Sequence, residues 1–588
     1  VLFIARLQPF LSPATKTLRN QNELLYRQGS RILYRLEAGG RDMNRSSELT
    51  APDKAFEQPE PVLRANDRKN FVTPGDLQQP AKVNRQLFAR LCPLEVVDKE
   101  TLKMIQVLRL HTAIDHTQSA TGSAVLLRSL IQPSTDLHLI QSKQESVQEI
   151  ASNDSLRRSL IDYVCEYSRG ESALYKFFNK DILALFPYAD VKKAKKAAAN
   201  ITGILQTAPR PKSAYLRALT SRLQSYRGSS IDQMVNGSIC QTFSGLKSDQ
   251  EVRLFTPKLK FVPRRFTKWI AAGPLVAAAP LAFQKAGFGP SLSPLLMHIG
   301  IAGTGLVAFY SLFIKPVRDT GTFIEPFREA CISDSAFSRA VDAVGMIDEL
   351  LSICRFAEQS SHATTLPKVA DENAHFFEAT GLRNPVLAKI KAEVVPNEVR
   401  MKGIRLTFIS GPNSGGKTTI CKSIVHNQLL AQMGGYVLAE KAAVNIADRI
   451  RYQAPKFDGL QDEEGRFGTE LGRTRDIFYA TGPKSLVILD EMAEGTTYEE
   501  KLHESHGILS DFFTIGNSTV LVTHNHLLVD RFMEEQKGQS LMVEFDGDDP
   551  TYRVIPGISR VSHADRIARK INFSKEDRHR YMKAKGYL

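Results

Sequence analysis

Residues 404–432 constrain this chain more than any other stretch. Ile404–Ser410 is an apolar run of strand length, Gly411–Gly416 is a glycine-rich turn, and Ile420–Gln432 reads as a helix. Two more apolar runs of strand length follow, Ser485–Glu491 and Thr519–Thr523, with helical stretches between them. Strands without polar alternation are buried on both faces, which is the habit of parallel sheets covered by helices. The alternation predicts an α/β domain with a mainly parallel sheet over residues 396–588.

Upstream the pattern changes. Residues 12–75 are polar with little periodicity, and 1–80 read as a flexible segment with one helix around Glu23–Leu36. The run Val1–Ile4 is too short for the core of a signal peptide. From 81 to 265 apolar residues recur at helical spacing, as in Leu156, Leu160, Tyr163, Val164 and Tyr167. That periodicity returns over 316–395, so the expectation is an all-helical region in two parts. Lys192, Lys193, Lys195 and Lys196, then Arg210, Lys212, Arg217, Arg222 and Arg227, lie in the first part. They are either a solvated face or phosphate contacts. The net charge of +14 suits a polyanionic partner, nucleic acid or an anionic membrane face. The six cysteines are scattered without a CxxC pair, which predicts free thiols and no zinc site.

Residues 266–315 separate the two helical parts. Trp269–Gln284 carries no charge, nor does Ala286–Ile314 after Lys285. Lys258, Lys260, Arg264, Arg265 and Lys268 precede the pair, and Lys315 and Arg318 follow. The length and flanks predict a transmembrane hairpin over 269–314 with both large domains cytoplasmic, anchored to the inner membrane. A buried apolar hairpin or an oligomer contact is the other reading.

The chemistry centres on Gly411, Pro412, Asn413, Ser414, Gly415, Gly416, Lys417, Thr418 and Thr419, which fit the P-loop pattern G-x-x-x-x-G-K-[ST] between a strand and a helix. The glycines let backbone N–H groups approach phosphates, and the helix N-terminus adds a favourable dipole. Lys417 is placed to pair with β- and γ-phosphates, and Thr418 to bind Mg²⁺, so ATP and Mg²⁺ are the expected cofactors. Asp490 and Glu491 close the second apolar run. The first is suited to holding Mg²⁺ through water, the second to orienting or deprotonating the attacking water. His524 ends the third run, where it either senses the γ-phosphate or is structural.

These residues resemble the MutS family of DNA mismatch-repair ATPases. The loop GPNSGGKTT is similar to that family's GPNxGGK[ST][ST], and Asp490–Tyr498 to its DE-x-x-x-GT turn. Thr523-His524 is similar to its switch, Leu382–Val386 to its RHPV stretch and Pro396-Asn397 to its VPN. Ile114–Gly122 and Leu126–Pro133 resemble the start of its helical core, and Ser562–Arg569 its closing helices. The resemblance covers about 100–180 and 320–588. It implies a helical core and lever followed by an ABC-type ATPase domain, and a homodimer whose ATP is sandwiched between one P-loop and the partner's signature segment. That segment aligns with Gly465, Arg466, Phe467 and Glu470.

This chain departs from the family in places. The family serine of the signature falls on Gly465, and Glu494 stands where the family has arginine. The region before residue 85 is too short and polar for the mismatch-recognition module, and neither the connector nor a nuclease module after residue 588 is expected. The apolar hairpin stands in place of the clamp. The resemblance therefore implies an ATPase coupled to double-stranded DNA. The alternative is a membrane-anchored ATP-dependent switch acting on a protein or lipid. An ABC transporter is disfavoured, because no LSGGQ signature is present.

Overall fold

The computed structural model describes residues 96–178, 187–204, 209–253, 255–263, 298, 302–303, 305–412, 415–454, 465–492, 498–547, 549–560, 568–569 and 571–587. The expected helix at Glu23–Leu36, Cys92, the turn after Met492 and most of Ser562–Arg569 lie outside them.

The first half is built on helices α1 (Ala120–Ile131), α2 (Leu137–Ser152), α3 (Asp154–Phe178) and α4 (Ser335–Gln359). In α3 the positions Leu156, Leu160, Tyr163, Val164, Tyr167, Leu174, Phe177 and Phe178 are buried, as the helical spacing predicts. Each such leucine contributes about 2 kcal/mol by leaving water. Helix α4 is buried on nearly every side from Ala340 to Cys354. It starts at Asp334, whose carboxylate accepts the Phe337 N–H.

Polar groups fix how these helices meet. Arg128 of α1 lies 2.6 Å from Asp342 of α4, and Lys143 of α2 lies 3.0 Å from Glu349 of α4. The N-terminus of α1 meets two carboxylates. Asp348 accepts from Ser119 N at 2.8 Å and Ser119 Oγ at 2.7 Å, and Glu171 of α3 accepts from Ala120 N at 2.9 Å and Thr121 N at 2.7 Å. Two acidic groups thus face the positive end of one helix, which gives the Gln118–Thr121 stretch its structural use.

The expectation of an all-helical region needs correcting at 239–260. β1 (Ile239–Thr242), β2 (Gly245–Ser248) and β3 (Leu259–Lys260) form an antiparallel sheet in the order β2-β1-β3. Gly245, with φ +103°, makes the tight turn that a helix reading overlooks. The lysines of helix Pro187–Ala199 mostly face solvent; Lys195 is half-buried and donates to Gly237 O at 2.7 Å.

The membrane hairpin is not supported. Among the described residues no helix is long and apolar enough to cross a membrane, and residues 264–297 lie outside them. Lys315, expected as an exposed flanking charge, is buried in protein instead. Its Nζ donates to Asp319 at 2.5 Å and to Val262 O at 2.9 Å. Charge therefore enters this helical stretch within a protein environment, beside Tyr188.

The second half contains β4 (Lys368–Ala370), β5 (Phe377–Leu382), β6 (Asn397–Arg400), β7 (Leu406–Ser410), β8 (Lys441–Asn445), β9 (Ile450–Gln453), β10 (Leu486–Asp490), β11 (Ser518–Val522), β12 (Gln539–Asp546) and β13 (Asp549–Pro556). One sheet runs β4-β8-β5-β6. The larger runs β13-β12-β7-β11-β10-β9 and is parallel except for the β12–β13 hairpin. Both faces of its central strands are buried. Leu406, Phe408, Val487, Leu489 and Leu521 pack into one cluster with Phe512 and Phe532. Ile409, Leu486, Ile488, Val520 and Val522 face a second cluster that continues into the helices of the first half.

Candidate functional site

The loop after β7 opens at Gly411, with φ +138°, where a Cβ would stand 3.1 Å from the Val543 side chain on β12. It closes at Gly416, with φ +89°, the residue before α5 (Lys417–Gln432). Both positions demand glycine, one for space and both for backbone conformation. Asn413 and Ser414 lie outside the described residues.

Lys417 starts α5 and is buried. Its Nζ donates to Gly411 O at 2.7 Å and lies 3.4 Å from His524 Nε2. Burial pushes its ammonium down to about 8, against the opposing pull of Glu491 and Asp490. Thr418 is exposed on the next position, and its hydroxyl lies near the Asp490 carboxyl, which it lowers against the larger effect of burial. The Thr419 carbonyl accepts from Ser423 Oγ at 2.8 Å, an intrahelical contact.

Strand order brings distant residues here. β11 lies between β7 and β10, all three parallel, so their C-terminal ends share one edge. Asp490 is the last residue of β10, and burial raises its carboxyl. Glu491 follows with φ +64°, unusual for a bulky side chain, and its N–H donates to Val522 O at 3.0 Å. Its Oε1 lies 3.3 Å from His524 Nε2. Lys417, Glu491 and His524 therefore meet in one place, with Asp490 beside Thr418. The oxygen donors of Thr418 and Asp490 suit a hard cation such as Mg²⁺. Among the described residues no group of three His, Cys, Asp or Glu forms a metal cluster, so such a cation also needs phosphate and water oxygens.

The aligned signature segment is elsewhere. Gly465, Arg466, Phe467 and Glu470 fall in the first turns of α6 (Gly465–Tyr479). Glu470 O accepts from Gln453 Nε2 at 3.3 Å and Thr474 Oγ1 at 3.0 Å, which ties α6 to β9. β9 is three strands from β7, roughly 14 Å at ordinary strand spacing.

Two site residues escaped the sequence reading. Tyr552 of β13, with φ +61°, sets its ring 3.3 Å from where a Gly416 Cβ would be. Asn397 holds it there, donating from Nδ2 to Tyr552 O at 3.2 Å and accepting from Val554 N at 2.8 Å. Tyr452 of β9 donates its hydroxyl to Asp490 Oδ2 at 3.1 Å. Burial raises that phenol well above its ordinary range. A lone tyrosine carries no motif; the Pro396-Asn397 pair was the available signal for the first.

A parallel sheet that gathers a glycine loop, a buried lysine and two consecutive carboxylates defines the strand–loop–helix class of nucleotide-binding folds. The family models agree with one another on the particular family. MutS domain III matches residues 92–354 and MutS domain V matches 407–576. The chain belongs to the MutS family. It is 25% identical over 487 residues to a DNA mismatch repair protein MutS of Synechococcus sp. (strain CC9605), covering 74% of this chain and 52% of that one. A MutS of Myxococcus xanthus (strain DK1622) is 32% identical over 211 residues, 35% of this chain and 23% of that one. A DNA mismatch repair protein MSH3 of Coccidioides immitis (strain RS) is 28% identical over 274 residues, 44% of this chain and 23% of that one. The chain spans between about a fifth and about half the length of the curated relatives it matches.

Proposed function

We propose that this chain is an Mg²⁺-dependent ATPase that works as a homodimer and couples its nucleotide cycle to binding of double-stranded DNA. The observation that carries the reading is the meeting of Lys417, Asp490, Glu491 and His524 at the ends of three adjacent parallel strands. Residues 396–588 form the ATPase domain of the ABC type, and 81–265 with 316–395 the helical core and lever.

The loop N–H groups and the N-terminus of α5 receive the phosphates, and Lys417 exchanges its bond to Gly411 O for a phosphate oxygen. Thr418 and Asp490 would hold Mg²⁺, and the ion would supply charge neutralisation at the phosphates. Glu491 orients the attacking water and accepts its proton, and His524 bridges Glu491 and the γ-phosphate position. Tyr552 offers an aromatic face beside Gly416 for the base. The distance from α6 to the P-loop of the same chain supports a signature segment that serves a second copy.

The DNA side rests on family membership, the +14 charge and the exposed Lys192, Lys193 and Lys196. The test is binding of the purified chain to homoduplex, mismatched and branched DNA at graded salt, with and without ATP. A steep fall in affinity with salt supports the reading. Salt-independent or absent binding to all three overturns its DNA part and leaves the ATPase part standing.

A further inference from the structure

Asp490 has a hydroxyl on either side of it, and one of them is bonded to it. The Thr418 hydroxyl approaches from α5, and the Tyr452 hydroxyl comes from the neighbouring strand β9, 3.1 Å from Oδ2. Tyr452 pairs with Ile488 across parallel β9 and β10, so it shares a sheet face with Asp490, two residues on. Its side chain is 1% exposed, so bulk water does not replace this bond. The backbone around it is braced from outside the sheet. Tyr452 N donates to Thr101 Oγ1 at 2.9 Å, and Ile450 N donates to Val96 O at 2.7 Å.

We propose that Tyr452 is a positioning residue for the cation site: its phenol anchors one oxygen of Asp490, fixing the carboxylate's rotation and leaving the other oxygen for the ion's hydration shell. This rests on the reading of Asp490 as the residue that holds Mg²⁺. With the Thr418 hydroxyl turned to the ion, Tyr452 is the donor that keeps Asp490 from rotating. Hydrogen bonds that orient a metal-binding carboxylate from behind contribute strongly to metal affinity. A tyrosine suits this place because its rigid ring spans the gap between strands with two rotatable bonds, and a hydroxyl bond to a carboxylate is charge-assisted.

The test is Tyr452→Phe, which keeps the buried ring and removes one hydroxyl. Mn²⁺ binding is titrated by electron paramagnetic resonance with a non-hydrolysable ATP analogue present, and analogue binding is measured separately in EDTA. The expected result is roughly tenfold weaker Mn²⁺ binding with metal-free analogue binding and thermal midpoint unchanged. Tyr452→His, which keeps a donor, recovers part of the loss. Equal loss in EDTA means general damage to the site and overturns the proposal. Asp490→Asn separates the two layers. If it retains Mn²⁺ affinity, the reading of Asp490 fails and the proposal with it. If it loses Mn²⁺ while Tyr452→Phe binds like the parent, only the role of Tyr452 falls.

Discussion

His426, on the P-loop helix α5, donates from Nε2 to the carbonyl of Ile105, 2.8 Å away and 321 residues earlier in the chain. It is one of several buried polar groups on that helix that bond across to other elements. Gln432 bonds Ser134 O at 2.9 Å and Ala447 O at 3.0 Å, Gln428 bonds Asn445 O, and Asn427 bonds Arg383 O. The far half of this helix is therefore bolted both to the helical region, at Ile105 and Ser134, and to its own half of the chain, at Arg383, Asn445 and Ala447. Burial pushes His426 down to about 4, so it is neutral at pH 7. The unfolded chain takes up this proton first as pH falls below 6.5, so the stability due to neutral His426 is present above that value and lost as pH falls toward 4. The wild type should lose about 2 kcal/mol between pH 7 and pH 5 at this site alone. His426→Gln, which keeps a donor but does not titrate, should lose that much less; urea melts at the two pH values measure it.

Lys417 predicts a pH effect of opposite direction on binding. Its ammonium lies at about 8 in the free site. Phosphates bind the charged form, so ATP affinity should fall roughly tenfold between pH 7 and pH 9 as that form is depleted, with one proton taken up per ATP at the upper end. Calorimetry in two buffers of different ionisation enthalpy reads both. Flat affinity across the range would place the lysine's ionisation elsewhere.

Glu491→Gln keeps shape and hydrogen bonding but cannot accept a proton. Turnover should fall by about 10²–10⁴ while ATP binding persists. Lys417→Ala should abolish binding as well. Single-turnover hydrolysis and nucleotide filter binding separate the two; a Glu491→Gln protein with parental turnover removes that residue from the mechanism.

The pair Lys143–Glu349 should be far more sensitive to losing one partner than both. Their side chains are 8% and 1% exposed. Glu349→Leu leaves an unpaired ammonium in the core and should cost about 3–5 kcal/mol. The double variant with Lys143→Met should recover most of that. Equal destabilisation by single and double variants would mean that packing, not charge, holds α2 to α4.

The three strand ends were legible in the sequence because a glycine loop and paired carboxylates are tied to fixed positions on strands. Gly411–Thr419, Asp490, Glu491 and His524 could be read that way. The partners that hold them could not. Tyr452 reaches Asp490 only because β9 pairs with β10, and Tyr552 reaches Gly416 only because β13 folds back on β12. Pairing of this kind leaves no local pattern. The sheet at 239–260 was misread because β3 is two residues long, too short for a period of two to show against neighbouring helices. Lys315 was misread because a lysine beside an apolar run looks like a flank, and its partner Asp319 lies beyond the run.

Helix α4 has 25 residues, about 37 Å from end to end. Ion pairs at Asp342 and Glu349 and the Asp348 cap of α1 grip it along one stretch of its length. A shaft clamped this way on its neighbours cannot bend locally to absorb strain. A tilt of a few degrees imposed at its C-terminal end moves the opposite end by an ångström or more, since the arm is tens of ångströms long. A small readjustment at one end thus needs no flexible relay: a stiff boom turns it into displacement at the other.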